Sequence, residues 1–386
     1  MSADGVIGNV EAALRPHVES GSLPGYVAGV SVRGERRVAA AGTRAFDSDG
    51  AMEPNTIFRI ASLSKLVGAV LTLLLERDGV LGRGDDVSRW VSELASLRVI
   101  RDPAGPLHDT VAAERSIVVR DLLTMTPGFG LVLTAGPLQS ALASRGLTPQ
   151  PFPPPFSHDD FVARLATLPL AHQPGAGWLY HTSSDVLSVL IARAAARPLH
   201  DLVAETVTDP LGLTDTGFRA ERPARLATAY EPTDDGLEVL DLPTGRFSRL
   251  PRFESLGSGL VSTVPDFLTF MEMLAGTGTS VLSPEAIAEL GADQLSDAQR
   301  ASAQAFLGPG RSWGLSCEVI QSPIETAVAA GGFGWMGGKG TTAYADPGRE
   351  LAGVLFTQRA MTTNRPTAAY IDFWGAVYSA ISGGRS

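Results

Sequence analysis

Between residues 7 and 20 apolar positions recur at helical spacing, with Val10, Leu14 and Val18 on one stripe, which predicts an amphipathic helix. YVAGVSV and RRVAAAG then flank Arg33-Gly34-Glu35 and predict a β-hairpin. LVGAVLTLLLERDGVL, from Leu66, is apolar nearly all round, the pattern of a helix buried at a centre. From residue 81 to about 235, short helical patterns alternate with loops. Among them, the Pro-rich LTPQPFPPPF at 147–156 predicts an extended, exposed connection. Strand patterns return from about residue 255 in WGLSCEVI, ETAVAAGGFGWMG and TTAYADPGRELAGVLFTQ, the last split by a turn at Asp346-Pro347-Gly348. Tyr370, Phe373, Trp374 and Val377 mark a closing helix. These elements predict an α+β fold, an antiparallel sheet flanked by helices. The sheet domain would comprise residues 1–80 and 235–386, with a mostly helical region, 81–234, inserted between them.

Composition narrows the function classes. Of 386 residues, 44% are hydrophobic and 19% charged, values of a globular chain long enough for two packed layers. A net charge of -10 leaves no basic face for nucleic acid or an anionic membrane. The longest apolar run, Leu66 to Leu75, is far too short for a bilayer. MSADGVIGNVEAALRP lacks the features of a secretory signal, and a lone cysteine, Cys317, fits a reducing compartment. A cytoplasmic protein is expected.

Basic residues carry the first chemical hint. Among 31 of them only Lys65 and Lys339 are lysines. Lys65 follows Ser62 by three positions in FRIASLSK, so a helix starting near Ser62 places both side chains on one face. There the Ser62 backbone N–H and the helix dipole favour developing negative charge. Burial lowers an amine's pKa until it can take the serine proton, which arginine cannot do. Alone, S-x-x-K fits a capping serine and an ion-paired lysine better; the scarcity of lysine tilts the balance toward chemistry.

Other motifs fail on context. Gly310-Arg311-Ser312-Trp313-Gly314 matches the G-x-S-x-G elbow, but a strand pattern follows it and the last histidine, His200, lies upstream. The six histidines and one cysteine show no metal-ligand spacing, and Ser157-His158-Asp159-Asp160 reads as a solvated helix start. Gly331-Gly332-Phe333-Gly334 does not link a strand to a helix as dinucleotide binding requires. No cofactor or metal is implied.

In its place before a buried helix, FRIASLSK resembles the serine motif of the class C β-lactamase-like serine hydrolases. That superfamily includes DD-peptidases, family VIII carboxylesterases and some acyltransferases. VRDLLTMTPGFG at 119–130, PGAGWLYHTSSDVL at 174–187, LGSGLVSTVPDFLTF at 256–270 and GWMGGKGTTAYADP at 334–347 follow in order, so the resemblance spans roughly residues 8–380. A tyrosine without the following asparagine, and a third motif beginning with tryptophan, are most similar to the family VIII esterases.

The resemblance implies a β-lactamase/DD-peptidase-like fold with Ser62 as nucleophile, Lys65 as its base and Tyr180 as a second proton carrier. Nearby positive fields would lower the tyrosine's pKa. It implies an oxyanion site at the backbone of Ser62 and Gly338, with Trp335, Gly337 and Thr182 beside the substrate. Thr182 and Trp335 stand where the lactamases carry the asparagine of Y-x-N and the lysine of K-T-G, which favours a neutral, hydrophobic acyl or alcohol group. Arg359 offers a cation near the site, and Lys339 is expected on the solvated surface. Met125-Thr126-Pro127-Gly128 replaces the family's usual histidine-containing stretch. The expected activity is ester hydrolysis through a Ser62 acyl-enzyme, with a small-molecule ester or lactam as partner. A β-lactamase or DD-peptidase, an acyltransferase to a small alcohol, and an inactive binding module are the alternatives.

Overall fold

The computed structural model describes residues 2–46, 50–150, 152–322 and 328–382. Its centre is a seven-stranded antiparallel sheet drawn from two distant parts of the chain. β1 (Gly25–Val32) and β2 (Glu35–Gly42) form the predicted hairpin. β3 (Arg311–Trp313), β4 (Glu318–Ile320), β5 (Phe333–Gly337), β6 (Thr341–Asp346) and β7 (Leu351–Thr357) come much later. The order across the sheet is β2-β1-β7-β6-β5-β4-β3, so the pairing of β1 with β7 joins the two parts. Arg33 and Gly34 both take positive φ, as a two-residue hairpin turn requires.

Helices α1 (Ala3–Glu19), α2 (Ser64–Arg77), α3 (Thr182–Ala195), α4 (Val264–Leu274) and α5 (Ala368–Ser382) cover the sheet and its surroundings. Alternation along the strands explains why both faces need cover. Tyr26, Ala28 and Val30 of β1 join the layer formed by Val6, Val10 and Leu14 of α1 with Phe373 and Trp374 of α5. Val27 points the other way, into a larger core containing α2, α3 and α4. α2 is buried from Ser64 through Leu75, as its lack of a polar face predicts. Among the described residues, no helix is long and apolar enough to cross a membrane.

Two strand predictions change. WGLSCEVI is a hairpin rather than one strand: residues 314–317 turn the chain between β3 and β4, with Ser316 at positive φ. In ETAVAAGGFGWMG only Phe333 onward is strand; residues 325–327 lie outside the described residues.

Candidate active site

Phe58 and Arg59 pair antiparallel with Val261 and Ser262, and this ribbon delivers the chain to Ser62. Ile60 is anchored on both sides: its N–H donates to Leu260 O at 3.0 Å, and its carbonyl accepts from Thr341 Oγ1 at 3.1 Å. A 3₁₀ turn over Ala61–Leu63 then leads into α2. Gly337 is required here because a Cβ would lie 2.4 Å from Ile60 O. Its role is to let β5 approach the serine segment; it does not line the cavity described below.

Ser62 and Lys65 rise one turn apart, and Lys65 Nζ donates to Ser62 Oγ at 3.2 Å. Burial lowers the Lys65 pKa to about 7, against the opposing pull of Asp185, so a large fraction is unprotonated near neutral pH. The amine's other partners are Gly257 O at 2.6 Å and His181 Nδ1 at 3.2 Å. Neither is a carboxylate, so the simple ion-pair alternative is not what the fold builds.

Motif spacing does not reveal His181. It sits in a tight turn, with φ 83° and ψ -63°, where Thr182 N–H reaches Tyr180 O at 3.3 Å. Such backbone is strained for a non-glycine residue. Here it sets Tyr180 and His181 together on one cavity wall. Thr182, expected beside the substrate, is instead buried at the start of α3, and His181 takes its place.

His181 Nε2 lies 3.3 Å from Asp185 Oδ2, one helical turn on. Asp185 Oδ1 accepts from Ser255 Oγ at 2.6 Å, and Ser255 Oγ accepts the N–H groups of Gly257 and Ser258, both at 3.0 Å. The ring of contacts closes at Gly257 O, which receives Lys65. Burial and the Lys65 charge lower the His181 pKa, so the imidazole is neutral. Its proton belongs on Nε2, toward Asp185, which leaves Nδ1 to accept from Lys65. Burial works against the Asp185 carboxylate, but His181, Ser255 and Lys65 together hold its pKa below the usual range. A neutral Lys65 whose two N–H groups engage Gly257 O and His181 Nδ1 keeps its lone pair for the Ser62 hydroxyl. The only trace of this in the sequence is the i,i+4 spacing within HTSSD.

Tyr180 is positioned by aromatic packing. Its ring stacks on Phe306 with centroids 4.5 Å apart, and Trp178, Trp313 and Trp335 surround it. Trp335 Nε1 donates to Tyr180 Oη at 2.6 Å, and Ser62 is the phenol's other partner. The expected lowering of its pKa is overturned. Burial raises it well above the usual phenol value and outweighs the bonds from Ser62 and Trp335. Trp335 therefore does more than supply an apolar wall, because its N–H is committed to the tyrosine.

Ser62, Tyr180, His181, Trp335 and Gly338 share a cavity of about 680 Å³ whose other walls include Leu131, Phe306 and Met361. Met361 N–H donates to Gly338 O at 2.9 Å and fixes that carbonyl. Pro149 and Gln150 also reach this cavity and Phe152 lines a neighbouring one, so the Pro-rich segment contributes cavity wall while Gln150 and Pro155 remain exposed; Pro151 lies outside the described residues. Arg359 donates to Ser22 O and lines a separate cavity, so it supplies no cation here. Lys339, expected in solvent, is buried on the cavity wall: β5 ends at Gly337, and strand alternation no longer governs it. Ser312 of the elbow-like motif is buried on β3 and donates to Asp293.

The beta-lactamase family model matches residues 10–373. The chain is 35% identical over 378 residues to Protein Rv1367c of Mycobacterium tuberculosis, covering 94% of this chain and 92% of that one. It is 30% identical over 382 residues to Esterase EstB of Burkholderia gladioli, with 93% and 92% covered. Among solved structures it is similar to EstCE1, described as a hydrolase with promiscuous acyltransferase activity, at TM-score 0.83 and 23% identity over 97% of this chain and 99% of that one. The chain therefore belongs to the beta-lactamase family and has its antiparallel-sheet-and-helix fold.

Proposed function

We propose that the protein is a serine hydrolase that cleaves carboxylic esters through a Ser62 acyl-enzyme. The observation that carries this reading is Lys65 Nζ 3.2 Å from Ser62 Oγ, with Ser62 and Tyr180 on the wall of one largely apolar cavity. Similarity to the esterase EstB supports it.

Lys65 takes the Ser62 proton as Oγ bonds to the ester carbonyl carbon. The oxyanion faces the backbone N–H groups of Ser62 and Gly338. When the C–O bond breaks, the Tyr180 phenol protonates the leaving alkoxide. The Trp335 N–H, and the Lys65 ammonium 4.8 Å from the Tyr180 ring centroid, stabilise the phenolate left behind. Water then attacks the acyl-enzyme, the phenolate takes its proton, and Lys65 returns its own to Ser62. A phenol that starts protonated suits this sequence better than one already ionised.

Short and medium acyl 4-nitrophenyl esters, assayed beside a chromogenic cephalosporin with Ser62→Ala as control, test the reading. Ester turnover lost in the variant supports it; rapid cephalosporin turnover with inert esters would reverse it. Acyl transfer, the activity named for EstCE1 beside hydrolysis, uses the same groups. Adding a small alcohol separates the two by the product formed.

A further inference from the structure

Ester cleavage as described gives Lys339 no task. We propose that Lys339 is an anion-recognition residue of this cavity, and that the esters cleaved here carry a carboxylate that pairs with it. The inference rests on the ester-hydrolase reading and adds the substrate class.

Lys339 is 4% exposed, lines the same cavity as Ser62, and its Nζ has no hydrogen-bond partner among the described residues. An ammonium has three donors, and burying them without acceptors is costly. Its close neighbour is the Phe152 ring, with Nζ 3.5 Å from the centroid; Arg246 lies over the same ring at 4.2 Å. A ring face attracts a cation but does not replace a carboxylate's hydrogen bonds.

The surrounding charges supply no dedicated counter-ion. Arg59 donates to Asp241 at 2.7 Å, so those two largely cancel. Arg246 and Glu231 remain; Glu231 lines the same cavity, but it is exposed, where water screens it, and it makes no hydrogen bond to Lys339 Nζ among the described residues. Burial lowers the Lys339 pKa to about 7, and a bound carboxylate would restore the charged form. The subsite differs in place from that of the K-T-G lysine, whose position Trp335 occupies. Lys339 directly follows Gly338 and lines the cavity that Ser62 lines, which puts the subsite on the same wall system as the proposed oxyanion site.

Two matched pairs of esters test this on the full chain. 4-Nitrophenyl hexanoate against mono-4-nitrophenyl adipate places the carboxylate on the acyl side; phenyl butyrate against 4-carboxyphenyl butyrate places it on the alcohol side. The charged member of one pair should be favoured in kcat/KM. Lys339→Met should lose about 10- to 100-fold on that ester, mainly through KM, with neutral esters little changed and Lys339→Arg retaining part of the preference. Unchanged kcat/KM for both charged esters in Lys339→Met overturns the proposal. Inertness of all four esters speaks against the ester reading itself. A binding measurement then decides the subsite independently. Calorimetry with monomethyl adipate and 4-carboxyphenyl butyrate on Ser62→Ala protein should show binding that adding Lys339→Met removes. Absence of binding, or equal binding in both proteins, overturns it.

Discussion

The two lysines of this chain are buried almost equally but in different company. Lys65 is 1% exposed and Lys339 4%, and burial brings both amines to about 7. Lys65 meets Ser62 Oγ, Gly257 O and His181 Nδ1, contributed by three separate stretches of chain. Lys339 meets the face of Phe152. Desolvation penalises both, and the fold offsets it with fixed acceptors only at Lys65. An amine held on three sides keeps the geometry that proton transfer needs. An amine with open donors retains capacity for a ligand. Similar burial and similar pKa thus accompany different proposed roles, and the partner set makes the difference.

The largest expected effects test the Lys65 side. Ser62→Ala should cut ester turnover about 10⁴-fold or more and abolish labelling by a serine-reactive phosphonate, read by intact mass. Full activity in that variant would sink the mechanism. Lys65→Arg keeps a cation but cannot lose its proton, so kcat/KM should fall roughly 10³-fold. An active arginine variant would remove the chemical reason for lysine at this position. Trp335→Phe deletes the N–H donated to Tyr180 and should lower kcat about tenfold with little change in KM.

Titration sharpens the same contrast. In the proposed mechanism Lys65 is a base when neutral, so kcat/KM should rise with pH through about 7. The Asp185 charge raises that pKa, so Asp185→Asn should move the rise to lower pH. A move to higher pH would show that Asp185 acts in another way.

The smallest effects lie in stability. Both amines sit near 7 when folded, against 10.5 for the free side chain. Between those values the unfolded chain binds more protons, so both sites make the fold more stable as pH rises through that window. Lys339→Met removes a desolvated amine without breaking a hydrogen bond among the described residues and should raise Tm by about 2–4 °C. Lys65→Met orphans Gly257 O and His181 Nδ1 and should lower Tm. Thermal melts at pH 7 read both, and shifts of the same sign would erase the distinction between the two sites.

Much of the fold was legible because its signals are local. The α1 stripe, the turn at Arg33-Gly34, the apolar α2 and the closing α5 all appear where periodicity places them. WGLSCEVI misled for a physical reason. Leu315 and Cys317 are buried within a turn, so they carry the apolar character of strand residues without the ladder. Tyr180 stood out within its motif, yet its charge state did not, because Phe306 and three tryptophans withdraw its hydroxyl from water. Lys339 misled in the same way, since neither its burial nor the Phe152 ring beside it lies in the local pattern.

By itself, the sequence determined which groups are available and which of them lie one turn apart. Ser62 and Lys65 share a face because three residues of helix set their separation, and no downstream histidine can serve the elbow-like Ser312. Tertiary structure alone decided that His181 and Gly257 hold the Lys65 amine, that Tyr180 stays a phenol, and that Lys339 is buried without a hydrogen-bonding partner among the described residues. Those outcomes need residues far apart in the chain to meet and to exclude water. The polarity that sets an ionisable group's charge belongs to its packed surroundings, and no stretch of sequence contains them.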